Sequence, residues 1–206
     1  MGPTKIDYSG TFTPTRCPKI IYPMATRIIP KHGGYKKLLS YQKTVVIYDI
    51  TKVFTSRFLN RGDRTVDQMI QAARSGKQNI IEGSQASGTS RKTELKLTNV
   101  ARASLEELLE DYRDYIRCHQ AIQWHINSPE ASYIRKLGRD RKRLPSAALE
   151  LARTRKSAVV ANIAICLIHQ ANFLLNQQIR RLEQDFLSDG GLTERRYRAR
   201  SRIRRE

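Results

Sequence analysis

The chain has 206 residues, with 38 Lys and Arg against 19 Asp and Glu, a formal net charge of +19 and a pI near 10.3. That length allows one domain with tails and a core buried without disulfides. A field of this sign points to a polyanionic partner, nucleic acid or an anionic membrane surface, and away from neutral metabolism. Cys17, Cys118 and Cys166 are odd in number and widely spaced, with no CxxC pair, which excludes a disulfide framework and a zinc knuckle and fits a reducing compartment. The first residues hold no apolar stretch of signal-peptide length, and Ile6 stands where a myristoylation pattern needs Ser or Thr, so a cytoplasmic location is expected.

Residues 1–34 contain five of the seven prolines and end in Gly33-Gly34, which predicts an extended or mobile arm. Helical periodicity then begins, with Leu39, Val46, Ile50, Val53 and Phe54 on one stripe of a helix over about 36–60. Thr65-Val66-Asp67-Gln68 reads as a capping box opening a second helix, about 65–82, and the loop-like composition of 83–89 predicts its end. Gly83 is expected to close it in a left-handed conformation. Ser90 is a candidate N-cap for a long third helix, about 90–119, carrying Leu97, Ala101, Leu105, Leu108, Tyr112 and Tyr115 on one face. A basic insertion over 120–145 follows, in which Ser128-Pro129-Glu130 has the chemistry of a short helix start.

A last bundle helix is expected over about 146–186. Its heptad of Ala161, Ile165, Ile168, Asn172, Leu175, Ile179, Leu182 and Phe186 runs beside a second stripe of Val160, Ala164, Leu167, Ala171 and Leu174. Two stripes exceed what one seam needs, so the second is assigned to contact with a neighbouring subunit. Asn172 is either a buried amide fixing register or a partly solvated position. No segment alternates with period two, so the fold class is all-α, an up-down four-helix bundle over 35–187. The tail over 188–206 follows a Gly190-Gly191 break, and like-charge repulsion is expected to keep it disordered until it meets an anion.

Several chemistries lack their residues. The charge-free stretch Ser157 to Leu175 reaches membrane-spanning length, but Asn162, His169, Gln170 and Asn172 are costly in hydrocarbon, so a buried helix is expected and no membrane partner. Gly83 to Ser90 approaches a phosphate loop, with Thr89 where the lysine belongs. A di-iron bundle needs Glu-x-x-His, whereas His32, His119, His125 and His169 follow Ile29, Ile116, Ile122 and Cys166 at that spacing. No metal, no cofactor and no enzymatic activity are expected. Glu106, Glu107, Glu110, Asp111 and Asp114 form an acidic band on the third helix, read as a solvated face relieved by Arg113 and Arg117, or as a docking surface for a basic segment.

Basic residues recur in blocks. Arg135, Lys136, Arg139, Arg141, Lys142 and Arg143 face the single acid Asp140 in the insertion. The tail adds Arg195, Arg196, Arg198, Arg200, Arg202, Arg204 and Arg205, with Tyr197 as a stacking surface, and helices 2 and 3 contribute Arg74, Lys77, Arg91, Lys92 and Lys96. Arginine forks hold phosphate oxygens and stack on bases, so these eighteen positions are the candidate nucleic-acid contacts.

The run from Asp67 to Gly83 resembles the S-Q-[IL]-x-R-A-A-x-S-x-x-x-N-I-A-E-G signature of bacterial four-helix-bundle proteins encoded in ribosomal-RNA intervening sequences. It matches at Gln68, Ala72, Ala73, Ser75, Asn79, Ile80, Glu82 and Gly83, while Gln71 replaces the usual arginine and Lys77 a frequent proline. Tyr41 to Tyr115 is similar to the four-helix-bundle suffix-domain subgroup. The superfamily includes accessory variability proteins of diversity-generating retroelements. The resemblance implies a basic homopentamer that binds structured RNA and associates with a reverse transcriptase. The alternative is a protein-interaction scaffold docking an acidic partner, without specific nucleic-acid function.

Overall fold

The structure, a computed structural model, describes residues 32–60, 62–189 and 192–204, and every regular element among them is helical. Apart from His32, Gly33 and Gly34, the predicted N-terminal arm lies outside the described residues. A 3-10 turn at Tyr35–Lys37 leads into α1 (Leu39–Phe58), where Val46, Ile50 and Phe54 of the expected stripe are buried and Val53 half-buried, while Leu39 at its start is exposed.

α2 (Arg64–Ala86) is opened by Asp63, whose side chain accepts from Thr65 N at 2.8 Å, so the expected Thr65–Gln68 box is not the cap. Asp63, whose own amide donates to the Asn60 carbonyl at 3.0 Å, is held where its carboxylate meets a first-turn amide that has no partner within the helix. Helix α2 also runs past the predicted stop at 82. Gly83 is helical and buried, and a Cβ there would sit 3.3 Å from Leu97 Cβ and 3.4 Å from the Glu94 carbonyl oxygen. Its lack of a side chain thus serves close approach to α3 (Arg91–Cys118), not termination. Gly76 has the same role, its missing Cβ facing Leu105 Cδ2 at 2.9 Å. Ser104 Oγ donates to Ser75 Oγ at 3.0 Å across this seam.

Ser90 caps α3 as expected, accepting from Thr93 N at 3.1 Å. The far end closes with Ala121 N on Ile116 O and Gln120 N on Arg117 O, a pattern that puts Gln120 at φ 51°. Ser128 then accepts from Ala131 N and, with Pro129 at the first position, starts α4 (Pro129–Leu137).

The expected single helix over 146–186 is two helices. α5 (Leu144–Thr154) ends at Arg155, whose ψ of 163° is extended, and α6 (Ser157–Asp189) begins after Lys156. The break is held from outside. Arg57 of α1 donates to the carbonyls of Ala152 and Arg155, satisfying groups that a continuous helix would have bonded itself.

α1 packs on α2, α2 on α3, α3 on α6 and α6 on α1, while α4 lies on α6 and α5 on α1. The insertion therefore belongs to the core: Ala131, Ile134, Leu137 and Leu144 are buried. This overturns the subunit-interface assignment. Val160, Ala164, Leu167 and Ala171 are 0–1% exposed within one chain and Leu174 is half-buried, so the stripe is already covered by the chain's own helices. The helix carrying these residues is long and apolar enough to cross a membrane, and 61% of its apolar stretch is buried inside the fold, with Phe173 left exposed.

Polar groups in the core are largely paired. Tyr112 Oη donates to Thr51 Oγ1 at 3.0 Å, and Thr51 to the Ile47 carbonyl. Asn162 donates to the carbonyls of Ile122 and Ala158 and accepts from Trp124 N at 2.8 Å, fastening the 121–124 segment to α6. Asn172 is 5% exposed and donates to Glu106 Oε1 at 2.9 Å, the buried alternative of the two.

Glu94, in the first turn of α3, supplies a pH-dependent term. Burial raises its carboxyl to about 7, Asp185 adding to the rise and Arg91 opposing it. The unfolded chain ionises this group near pH 4.5 and the folded chain near 7, so its protonated form favours folding and stability falls as pH rises between them. Glu94→Gln is expected to match the parent at pH 4 and to exceed it by about 1 kcal/mol at pH 8, discounted for partial solvent exposure. Urea unfolding at pH 4, 6 and 8 checks this.

Candidate nucleic-acid interface

The turn between α4 and α5 gathers the insertion's cations. Leu137 and Leu144 anchor its two ends in the core, which forces the residues between them outward: Arg139, Arg141, Lys142 and Arg143 are exposed, with Lys136 on the last turn of α4. Asp140, the only acid here, is turned onto the backbone. Its Oδ1 accepts from Lys142 N and Arg143 N, both at 3.0 Å, so the carboxylate fixes the turn and forms no ion pair with the five cations. Tyr133, 50% exposed, stands beside Lys136, Arg139 and Arg143 around a shallow depression. An exposed ring among unpaired cations offers base stacking and phosphate contact in one place. Tyr197, the aromatic expected among the cations, lies on the C-terminal segment, and Tyr133 was not among the expected contacts. On α4 Tyr133 lies three residues before Lys136, a spacing that puts both on one face.

Other predicted contacts are divided among different surroundings. Arg135 is half-buried, and its guanidinium donates to the Ile126 carbonyl and to Ser132 Oγ, bracing the loop before α4. Lys77 Nζ lies 4.2 Å from the centre of the Tyr48 ring, between α1 and α2. Arg91 donates to the Asp185 carbonyl at 2.7 Å, tying the start of α3 to the end of α6. Arg74, Lys92 and Lys96 are exposed. They sit on α2 and α3, whereas the insertion packs on α1 and α6, so the helix 2–3 cations and the turn do not form one patch.

The arginine tail differs from expectation. Leu192–Ile203 forms α7, in which Arg196, Tyr197, Arg198 and Arg200 are exposed, followed by exposed Arg204. Arginine's high helix propensity offsets repulsion between exposed, solvent-screened like charges. The side chains of Arg195 and Arg202, and the whole of Arg205, lie outside the description.

One basic cluster was not anticipated. Arg153, Arg155 and Lys156 are exposed at the α5–α6 break, beside Arg57, whose guanidinium also covers the Phe58 ring at 4.5 Å. The R-x-R-K run was visible, but a continuous helix would have spread these charges around its circumference.

The acidic band is partly neutralised within α3 itself: Arg113 pairs with Glu110 and Arg117 with Asp114, both at 2.6 Å. Burial, with Asp114 and Glu107 nearby, holds the Asp111 carboxyl above its ordinary range. Among the described residues no group of three or more His, Cys, Asp or Glu is placed to hold a metal. No known family model, curated protein or solved structure matches this chain.

Proposed function

We propose that this protein is a non-enzymatic RNA-binding accessory protein, a four-helix bundle with an integrated basic insertion that holds structured RNA by phosphate neutralisation and base stacking. The observation that carries the reading is the α4–α5 turn: five cations without a carboxylate partner, the local acid committed to the backbone, and Tyr133 exposed among them. Such a surface releases counterions from phosphates and recognises shape more than sequence. The sequential packing of α1, α2, α3 and α6 suits a four-helix bundle of the kind the helix 2 motif resembles. By that resemblance the partner is a reverse transcriptase and the protein works as a homo-oligomer, through surfaces other than the Val160 stripe, and the widely spaced cysteines fit the reducing cytoplasm. The test is affinity for a folded RNA hairpin before and after replacing Lys136, Arg139, Arg141, Lys142 and Arg143 by glutamine. An unchanged affinity would overturn the reading.

A further inference from the structure

On the other side of α4 lies a cleft of different chemistry, about 750 Å³ in volume, within the range of about 300–1,000 Å³ usual for small-molecule sites. Its walls come from α1, the 121–128 segment, α4 and α6. Trp124, Ile126, Ile165, Phe173 and Leu174 make it mainly apolar, and Phe173 and Ile126 at its rim are 61% and 67% exposed. Its charged lining is all of one sign: Lys43, Arg135 and Arg139, with no Asp or Glu.

Lys43 is the unusual member. It is 8% exposed, and its ammonium donates to the Gly138 carbonyl and to Gln170 Oε1 at 2.7 Å, leaving one of its three N–H donors. Gln170 is itself fixed, donating from Nε2 to the Arg135 carbonyl at 3.0 Å. Gly138 must lack a side chain for this arrangement, since a Cβ would fall 2.1 Å from Gln170 Oε1. Burial lowers the Lys43 ammonium to about 8, so a charge is kept there at a cost that an adjacent anion would offset.

We propose that this cleft binds a small amphiphilic anion, its hydrocarbon body against Trp124, Ile165 and Phe173 and its head group at Lys43 and Arg139. An apolar trough whose polar end is wholly cationic selects against neutral and cationic amphiphiles by charge, and gains affinity with each methylene it covers. The site is separate from the RNA reading, because the cations proposed for RNA point outward from the α4–α5 turn, and only Arg139 borders both.

The test uses the full chain and dodecanoate below its micelle concentration, followed by calorimetry. Expected are saturable binding of one dodecanoate per chain, affinity about tenfold weaker for decanoate, and at least tenfold weaker for dodecyltrimethylammonium. Phe173→Glu, at an exposed position, should abolish binding while leaving the circular dichroism and the affinity for an RNA hairpin unchanged, and Arg139→Gln should weaken it about fivefold. Equal affinity for the cationic and anionic amphiphiles, or unaltered binding to Phe173→Glu, would overturn the proposal. So would an RNA oligonucleotide that displaces dodecanoate and is itself lost in Phe173→Glu, which would make the cleft part of the nucleic-acid surface. Self-association broken by Phe173→Glu alone would make it a subunit contact and overturn it equally.

Discussion

Replacing Phe54 by alanine is expected to destabilise the fold by about 3–5 kcal/mol. Phe54 is fully buried on α1 and meets Tyr112 and Tyr115 of α3 edge-on, at centroid distances of 5.0 and 4.8 Å, and Phe58 at 5.4 Å. α1 and α3 stand across the bundle from each other, so this cluster fills the space between helices joined mainly through α2 and α6. Truncation leaves a cavity that helices pinned by the Tyr112–Thr51 hydrogen bond cannot close, and the aromatic contacts, about 0.5–1.5 kcal/mol each, are lost with the buried area. A domain of this kind has about 5–15 kcal/mol in all. Guanidinium unfolding should therefore show a midpoint lowered by a large fraction of its value, with the m-value unchanged. A loss below about 1 kcal/mol would mean that α1 and α3 do not meet as described.

The largest functional effect is expected in the α4–α5 turn. Glutamine at Lys136, Arg139, Arg141, Lys142 and Arg143 should weaken binding of a folded RNA hairpin about 100-fold at 100 mM salt and reduce the salt slope by about 3.5–4.5, each lost phosphate contact removing about 0.7–0.9. All five side chains are exposed, and Asp140 caps the turn through backbone amides that the substitutions leave in place, so the thermal midpoint should barely move. Tyr133→Ala isolates the other component. It should cost about tenfold in affinity, as for one stacked base, without changing the salt slope. An acidic-protein scaffold would show the reverse pattern, keeping its partner in the tyrosine variant and showing no preference for RNA over polyglutamate.

Local chemistry was the most legible part of the sequence. Ser90 and Ser128-Pro129 specify caps through atoms within three residues, and both form as read. What escaped was set by contacts distant in the chain. Gly83 has the composition of a terminator, but the surface of Leu97 and Glu94 employs it for packing. The α5–α6 break depends on a guanidinium nearly a hundred positions away, and no periodicity encodes Arg57 reaching the carbonyls of Ala152 and Arg155. The second apolar stripe of α6 was read as the contact with a neighbouring subunit, but it is buried within one chain, where α6 packs against α3 and α1; the insertion meets a different face of α6, at Asn162, Gln170 and Phe173. The same distinction divides the basic residues. Charge is read directly from sequence, but only the fold shows that Arg135, Lys77 and Arg91 are engaged within the protein while Lys136, Arg139, Arg141, Lys142 and Arg143 face outward.

The central claim, a surface that holds RNA by neutralising its phosphates, is tested most directly by the affinity of the intact protein for a folded RNA hairpin between about 50 and 200 mM salt. With six or more contacts, log K should fall linearly against log salt with a slope of about −4 or steeper, a loss of at least about 100-fold across that interval. A change of less than about threefold would contradict the account.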